Sequence, residues 1–193
     1  VEKNAPYVKI ADTFVYISAG TFLQPSREGE QALVTLVLKY LGETSGRIAD
    51  LFCGVGTFSY PLARNPANRV LAVDSSERLL EGFRRTVNKN MIPNIEIAAK
   101  NLFKYPLDAT ELKGFNAVVF DPPRAGAAAQ TARLAALPVG ERPEKIIAVS
   151  CNPGTFVNDA NTLVSAGYKL VEVTMVDQFV YSDHSELVAL FTK

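Results

Sequence analysis

Residues 49–58 read ADLFCGVGTF, and this stretch decides the fold. It follows a short apolar run and precedes a longer amphipathic segment, so it is the loop between a buried strand and a helix. Gly54 and Gly56 permit a tight turn and the close approach of the backbone to a ligand. Asp74, about twenty residues on, ends the next strand, where a carboxylate can accept hydrogen bonds from both hydroxyls of a ribose. We therefore expect a nucleotide cofactor at this loop; the alternative is a structural turn beside a surface acid.

The first acid of the loop narrows the choice of cofactor. A dinucleotide loop has a third glycine, and this chain has Tyr60 or a neighbour at that place. The difference argues against a pyrophosphate bound at the helix N-terminus. An acid at Asp50 better suits a cofactor with a cationic amino-acid tail, and S-adenosylmethionine has one. Asp50 would hold the ammonium group directly or through water, unless it only stabilises a turn.

Short apolar runs alternate with amphipathic segments along most of the chain. Runs rich in Val, Ile, Ala and Phe are typical of strands buried on both faces, whereas apolar residues at helical spacing indicate helices. The last two strand-like runs have no helix between them and predict a hairpin at one sheet edge. The pattern predicts an α/β fold with a doubly wound, Rossmann-like, mostly parallel seven-stranded sheet and an antiparallel edge strand. The predicted strands are 48–52, 70–73, 95–98, 117–120, 146–149, 170–179 and 187–191, and the predicted helices are 28–41, 78–90, 130–136 and 155–166.

Length, charge and cysteine content limit the class of protein. The chain has 193 residues, of which 48% are hydrophobic, enough for one substantial domain. Its 20 basic and 20 acidic residues cancel, which counts weakly against a nucleic-acid partner, because such proteins usually carry a basic excess. We find no apolar stretch as long as a membrane span and no signal peptide, so we expect a reduced, cytoplasmic setting and no membrane partner. Because the chain starts at Val1, we expect a processed or excised piece of a longer protein.

Two polar segments follow the fourth and fifth predicted strands. Residues 121–126 read DPPRAG, and residues 150–155 read SCNPGT. Ligands of a doubly wound sheet bind at the carboxyl ends of its strands, so both segments belong to the same rim as the glycine loop. We expect Asp121 to contact a ligand and Arg124 to contact a phosphate or a base, or else to pair with a nearby acid. Cys151 lies just before a helix N-terminus, whose dipole favours a thiolate, so we expect a nucleophile rather than a packing residue.

Other candidates are weaker on their own. Cys53, in the glycine loop, is expected to be structural. Glu186 directly precedes the last strand, and its place near the rim favours a general base over a surface acid. His184, the only histidine, is not expected to bind a metal, because no second soft ligand lies nearby in the sequence. Phe22 and Gln24 precede the first helix, and a glutamine amide can both donate to and accept from the polar edge of a base.

Together these motifs resemble those of the RNA 5-methyluridine methyltransferases, which act on transfer and ribosomal RNA. The resemblance extends from Phe22 to the end of the chain. It implies an S-adenosylmethionine-dependent methyltransferase fold, RNA as the partner, Cys151 as the nucleophile and Glu186 as the base. It also implies ligand contacts from Gln24, Asp74 and Asp121. The matching segments, in the family's order, are 22–24, 50–56, 121–126, 150–153 and 184–186.

The reaction implied by this resemblance methylates carbon 5 of a uridine in structured RNA. A thiolate from Cys151 attacks carbon 6 and makes carbon 5 nucleophilic, and Glu186 removes the carbon-5 proton after methyl transfer. The uridine must leave its stack to reach the site, and Phe22 would hold it by stacking. The expected site has no metal. Its catalytic residues are Cys151 and Glu186, its cofactor contacts are Gln24, Asp50, Gly54, Gly56, Asp74 and Asp121, and its substrate contacts are Phe22, Arg124 and Asn152.

The chain also departs from the family pattern. Ser26 stands where the family often has asparagine, and Val180 stands where a proline is usual. Asn101 stands near the place of an acid that often follows the third strand, so we expect an altered adenine contact. The family carries an N-terminal RNA-binding barrel, a central domain and often iron–sulfur cysteines, which this sequence does not include. We expect residues 1–27 to be a strand remnant with a substrate-side loop, and residues 28–193 to be a class I methyltransferase domain.

Three other functions stay open. A cytosine-5 RNA methyltransferase also uses a cysteine, but one that follows a proline after the fourth strand, where Arg124 stands. An exocyclic-amine methyltransferase would use residues 121–123 and needs no thiol. A non-catalytic module would bind RNA or sense the cofactor without turnover. Methyl transfer by a Cys151→Ala variant would favour the thiol-independent chemistry.

Overall fold

The computed structural model describes residues 6–18, 20–178 and 185–193. The strands in this part of the chain are β1 (Tyr7–Ile10), β2 (Thr13–Tyr16), β3 (Arg47–Leu51), β4 (Arg69–Asp74), β5 (Ile95–Ala99), β6 (Ala117–Phe120), β7 (Lys145–Ser150), β8 (Lys169–Val176) and β9 (Glu186–Thr192). The α-helices are α1 (Arg27–Leu41), α2 (Ser59–Ala63), α3 (Glu77–Lys89), α4 (Ala109–Leu112), α5 (Ala128–Ala135) and α6 (Pro153–Ser165). A short 3₁₀ turn covers Val139–Glu141.

The larger sheet has the strand order β5-β4-β3-β6-β7-β9-β8. Neighbouring strands from β5 to β7 are parallel, whereas β9 is antiparallel to both β7 and β8. The direction in which strands are added reverses between β3 and β6, which is where ligands bind in sheets of this kind. The predicted doubly wound, mostly parallel seven-stranded sheet with an antiparallel pair at its edge is therefore confirmed.

Helices cover both faces of the sheet because its strands are apolar at nearly every position. Along β6, Ala117 and Val119 pack into one hydrophobic cluster together with side chains of α1, α2 and α3. Val118 and Phe120 pack into a second cluster together with side chains of α4, α5 and α6. This alternation is the pleat of a strand, whose successive side chains point to opposite faces.

Polar caps start the helices that border the carboxyl rim of the sheet. The hydroxyl of Ser26 accepts a hydrogen bond from the backbone N–H of Gly29 at 3.0 Å and starts α1. Ser76 caps α3 in the same way. Asn152 caps α6, and Pro153 occupies its first turn, where a missing N–H costs nothing. The four predicted helices are present, and each begins one or two residues before its predicted start.

The two N-terminal strands form a hairpin that packs on the main sheet layer. Ile10 and Val15 are buried in the cluster that also contains α1 and α3. The backbone N–H of Tyr16 donates to the hydroxyl of Thr86 on α3 at 2.9 Å. The expected strand remnant is thus a hairpin held against α3. The division of the chain after residue 27 stays a prediction.

The antiparallel course of β9 decides the geometry of the rim. A strand that runs against its neighbours begins at the edge where they end. The register pairs Leu187 with Ser150, so the next residue outward on each strand is Glu186 and Cys151. The fold therefore brings together two residues that the sequence places far apart.

Candidate active site

A cavity of about 490 Å³ opens at the carboxyl rim, beside the point where the strand order reverses. Its size falls within the range of small-molecule sites, roughly 300–1,000 Å³. The loops after β3, β4, β5, β6 and β7 form its wall, together with the start of β9 and the segment before α1. Eight of the predicted site residues line it: Phe22, Gln24, Gly54, Asp74, Asp121, Arg124, Cys151 and Glu186.

The cofactor side of the cavity is held by backbone hydrogen bonds to one acid. The N–H of Gly54 donates to Oδ2 of Asp74 at 3.0 Å, and the N–H of Ser76 donates to Oδ1 at 2.9 Å. Gly54 has φ 54°, and a Cβ built there would meet nothing within 4 Å. The loop after β3 is therefore fixed against the end of β4 and stays open toward the cavity, as a nucleotide-binding loop must be.

Two predicted cofactor contacts lie behind this wall and do not line it. The carboxyl of Asp50 is 0% exposed; its Oδ2 accepts a hydrogen bond from the hydroxyl of Ser59, and its Oδ1 has no partner among the described residues. Burial raises the pKa of Asp50 to about 7. Gly56 has φ 94°, and a Cβ there would lie 2.8 Å from ring atoms of both Phe83 and Tyr60. Both residues shape the loop from within, and their contact with a cofactor, for Asp50 directly or through water, stays a prediction.

Three aromatic residues that were not predicted as site residues also line the cavity: Phe52, Phe58 and Phe103. The rings of Phe52 and Phe103 have centroids 5.3 Å apart, with their planes tilted by 52°. Phe52 has φ 60°, a left-handed conformation that bulky residues rarely adopt. Asn101, at the expected altered position, accepts hydrogen bonds from the N–H groups of Phe103 and Lys104 and so shapes this turn. The place of Phe103 just after β5, on the carboxyl rim, is the sequence signal that could have revealed it.

Cys151 and Glu186 lie in the opposite part of the wall, where β7 ends and β9 begins. Cys151 is a free, half-buried thiol, and Glu186 is 5% exposed. Oε2 of Glu186 has no hydrogen-bond partner in the described part of the chain. A buried carboxyl oxygen without a partner can accept a proton readily. The two residues predicted to be catalytic are therefore neighbours in one cavity.

The environment of Cys151 disfavours the thiolate in the free protein, contrary to the expectation from the helix N-terminus. Burial raises the pKa of the thiol, and the carboxyls of Glu186 and Asp121 raise it further. The backbone and Arg124 oppose this rise more weakly. Burial also raises the pKa of Glu186, and burial followed by the charge of Glu186 raises that of Asp121 to about 8. Burial first, and these neighbouring carboxyls second, therefore disfavour ionisation of the thiol in the free protein.

Asn152 supports the site instead of lining it. Its Oδ1 accepts a hydrogen bond from the N–H of Gly154, and its Nδ2 donates to the carbonyl oxygen of Arg124, both at 3.0 Å. These bonds cap α6 and tie the loop after β6 to that helix. Asn152 thus has a structural role, and its predicted substrate contact stays a prediction, while Arg124 does line the cavity.

Gln24 lines the cavity and takes part in a contact that the sequence did not reveal. Its Oε1 accepts a hydrogen bond from Nε2 of Gln178 at 2.7 Å. The same nitrogen lies 3.4 Å from Oε1 of Glu186. Gln178 follows β8, which runs in the same direction as β7, so its position on the carboxyl rim is the signal that would have identified it.

The remaining candidates can be placed briefly. Cys53 is 6% exposed, burial raises its pKa well above the ordinary value, and it lines the cavity; its structural role stays a prediction. Ser26, one of the departures from the family pattern, is used to cap α1. His184 and Val180 lie outside the described residues. Across those residues we find neither a group of three or more metal-binding side chains nor a helix long and apolar enough to cross a membrane.

Relatives match nearly the whole chain in sequence. An uncharacterized RNA methyltransferase of Caulobacter vibrioides is 42% identical over 189 residues, which are 97% of this chain and 44% of the relative. The 23S rRNA (uracil(1939)-C(5))-methyltransferase RlmD of Photobacterium profundum is 32% identical over 198 residues, which are 100% of this chain and 41% of the relative. The chain thus spans less than half the length of these relatives.

Solved structures agree with the fold, and a family profile agrees with the motifs. The crystal structure of Pyrococcus abyssi tRNA (uracil-54, C5)-methyltransferase in complex with S-adenosyl-L-homocysteine has a TM-score of 0.83 and 31% identity, and the match covers 98% of this chain and 45% of that one. This likeness confirms the predicted methyltransferase fold. The profile described as tRNA (Uracil-5-)-methyltransferase matches residues 7–193. The chain therefore belongs to the tRNA (uracil-5-)-methyltransferase family.

Proposed function

We propose that the protein transfers a methyl group from S-adenosylmethionine to carbon 5 of a uridine in RNA, with Cys151 as nucleophile and Glu186 as base. The observation that carries this proposal is the placement of that thiol and that carboxyl side by side, in the same cavity as the glycine loop. Membership of the family supports uracil carbon 5 as the target.

The cavity suits a cationic nucleoside cofactor. The rings of Phe52 and Phe103 offer apolar surface for an adenine, and the exposed side of Gly54 admits a close ligand. The solved structure from Pyrococcus abyssi holds S-adenosyl-L-homocysteine, which supports the same choice. Acidic side chains outnumber basic ones in the wall, which favours a positively charged ligand. They are Asp74, Asp121 and Glu186, against Arg124.

A positive charge in the cavity would also activate the nucleophile. Burial and two carboxyls raise the pKa of Cys151, so the thiol of the free protein stays protonated near neutral pH. An opposite charge nearby favours the ionised form of a thiol and so lowers its pKa. We therefore expect Cys151 to become reactive when the cofactor is in place. This order would protect the thiol until a methyl donor is present.

The chain's own residues then carry the covalent chemistry. Sγ of Cys151 forms a bond to carbon 6 of the uracil, and the electrons of the 5,6 double bond move into an enolate that makes carbon 5 nucleophilic. S-adenosylmethionine, when bound, would supply the methyl group that carbon 5 accepts, and the electron pair of the broken carbon–sulfur bond would stay on S-adenosylhomocysteine. Glu186 takes the proton from carbon 5, the 5,6 double bond re-forms, and the carbon–sulfur bond breaks with its electron pair returning to Cys151.

RNA is the substrate that we propose, in line with the relatives named for ribosomal and transfer RNA. Cys151 is half-buried, so the target base must leave its stack to reach the thiol. The side chain of Phe22 is 70% exposed at the cavity, where it can stack on an extruded base. Both cysteines are free thiols, which fits the expected reduced cytoplasm.

RNA that contains 5-fluorouridine tests this proposal directly. The protein is incubated with S-adenosylmethionine and 5-fluorouridine transcripts of transfer RNA and of 23S ribosomal RNA, and the products are analysed by denaturing gel and peptide mass spectrometry. Fluorine cannot leave carbon 5 as a proton does, so a methylated adduct should remain bonded to Cys151. A Cys151→Ala variant should form no adduct and transfer no methyl group, while it still binds S-adenosylhomocysteine.

The matched control is Cys53→Ala, which removes the other thiol and should keep adduct formation. Methyl transfer to uridine by Cys151→Ala would contradict the covalent mechanism. Methyl transfer to an exocyclic amine by that variant would favour the thiol-independent alternative. Cofactor binding with no turnover on either RNA would favour a non-catalytic role.

A further inference from the structure

Gln178 connects two residues of the cavity wall, Gln24 and Glu186, without lining the cavity itself. Its side chain is 6% exposed, whereas Gln24 and Glu186 both line the cavity. Its Nε2 lies 2.7 Å from Oε1 of Gln24 and 3.4 Å from Oε1 of Glu186. These residues come from three separate segments: the loop before α1, the end of β8 and the start of β9. One buried amide thus bridges a ligand contact and the proposed base.

The orientation of the Gln178 amide follows from what surrounds it. Oε1 points toward the first turn of α1, where a Cβ at Gly29 would collide with it and would lie 2.7 Å from Cβ of Gln178. Oε1 accepts no hydrogen bond from the described residues, and the partial positive charge at the N-terminus of the helix is what favours an oxygen there. The N–H groups consequently face Glu186 and Gln24. A flipped amide would set its oxygen against the carboxyl of Glu186, which is repulsive.

This orientation determines what the two partners can offer. Oε1 of Gln24 is occupied by Gln178, so the N–H groups of Gln24 are what it can present to an acceptor on a ligand. Oε1 of Glu186 is also held, whereas Oε2 has no partner among the described residues. The geometry thus leaves one free carboxyl oxygen to take up a proton.

We propose that Gln178 is a positioning residue that holds Glu186 by one oxygen, keeps the other oxygen free as the proton acceptor, and aligns Gln24 at the same time. The inference rests on the proposed function, because it assigns to Glu186 the removal of the carbon-5 proton. Gly29 supports it independently. A glycine inside a helix weakens that helix relative to alanine, and the position of Gln178 leaves no room for a larger residue.

The hydrogen bond from Gln178 also affects the titration of Glu186. Burial raises the pKa of this carboxyl, and the bond from Gln178 lowers it. The other charged or titratable groups around it are Asp121 and Arg124 on the loop after β6 and Cys151 after β7. Loss of the Gln178 bond should raise the pKa of Glu186. A base with a higher pKa is ionised only at higher pH, so proton removal should then need a higher pH.

The test separates adduct formation from adduct release. Formation is measured with 5-fluorouridine RNA, which needs no base. Release is measured as the decay of the covalent complex with uridine RNA in single turnover, where Cys151 is already bonded and its own titration no longer contributes. In Gln178→Met, which keeps the length of the side chain and removes the donor, we expect formation to change by less than about threefold. Release should slow roughly tenfold. The acid limb of the pH–rate profile of release should move up by roughly one pH unit, as expected for loss of a hydrogen bond to a charged group.

Two further variants show whether the effect runs through Glu186. The double variant Gln178→Met, Glu186→Gln should release no more slowly than Glu186→Gln alone, because no base remains to be positioned. Gln130→Met is the matched control, since Gln130 is also fully buried and bonds the backbone of Leu107, away from the cavity. It should lower the melting temperature and leave the acid limb of release where it is in the native protein.

Gln178→Glu provides a second measurement if Gln178→Met does not fold. It keeps the side-chain shape and places a second carboxyl against Glu186, so the acid limb should move further up. The inference is overturned if the acid limb stays at its native pH in the folded variants, or if formation and release slow by the same factor. A native protein that forms no adduct at all would instead overturn the proposed function.

Discussion

The cofactor side and the reaction side of this cavity are built in different ways. On the cofactor side, the loop after β3 is fixed to one acid at the end of β4, where the N–H of Gly54 donates to Asp74 at 3.0 Å. On the reaction side, Gln24, Cys151, Gln178 and Glu186 come from four separate segments, joined by side-chain contacts such as the 2.7 Å bond between the two glutamines. Backbone hydrogen bonds within a local motif hold the cofactor side together. Contacts between segments that are distant in the sequence hold the reaction side together.

This difference predicts which positions should be most sensitive to substitution. A loop fixed by backbone groups tolerates changes to most side chains and depends on glycine conformation at a few positions. A corner assembled from buried side chains loses function when any one of them changes, because an unpartnered buried polar group is costly.

Glu186→Gln should break the reaction side while it leaves the fold in place. Removal of a general base typically costs about 10²- to 10⁴-fold in rate, so turnover on uridine RNA should fall by that range. The covalent complex with ordinary uridine RNA should accumulate, since the carbon-5 proton stays in place. Rapid-quench measurements of turnover and denaturing gels of the complex check both points.

The control for that variant is Glu172→Gln on β8. It removes an exposed carboxylate that pairs with Lys39 of α1, and it should leave turnover unchanged. Turnover by Glu186→Gln at the native rate would show that another group removes the proton.

Alanine substitutions at Gly54 and Gly56 should lower the free energy of unfolding by different amounts, because Gly56 is packed against other side chains and Gly54 is open to the cavity. Gly56→Ala places a Cβ 2.8 Å from Phe83 and Tyr60 at φ 94°, so we expect a loss of about 2–4 kcal/mol in the free energy of unfolding. Gly54→Ala meets nothing within 4 Å, and only its positive φ should count, about 1–2 kcal/mol. Urea unfolding measures both values, and equal losses would contradict the distinction.

Asp74→Asn should weaken cofactor binding and leave the reaction side intact. It replaces a charged acceptor by a neutral amide beside the expected ribose, so the dissociation constant for S-adenosylhomocysteine should rise about tenfold. Titration calorimetry measures this change, and the rate of alkylation of Cys151 by iodoacetamide should not move. Asp12→Asn, at an exposed ion pair far from the cavity, is the control. An unchanged dissociation constant would remove Asp74 from the cofactor site.

The sequence by itself determined the fold and eight of the residues that line the cavity. Alternating buried strands and amphipathic helices predicted the sheet, and strand-end motifs predicted Gly54, Asp74, Asp121 and Cys151 at one rim. These predictions succeed because both the period of a strand or helix and the rule that strand ends meet at one edge can be applied to the sequence alone.

Tertiary structure alone decided the burial and the partners of the side chains. It placed Asp50 and Gly56 behind the cavity wall and made Asn152 a helix cap. It half-buried Cys151 beside two acids, so that burial first and these carboxyls second raise the pKa of the thiol. It also placed Gln178 between Gln24 and Glu186. The physical reason is that desolvation and hydrogen bonding depend on which distant segments meet in space. Here the antiparallel insertion of β9 between β7 and β8 brings them together.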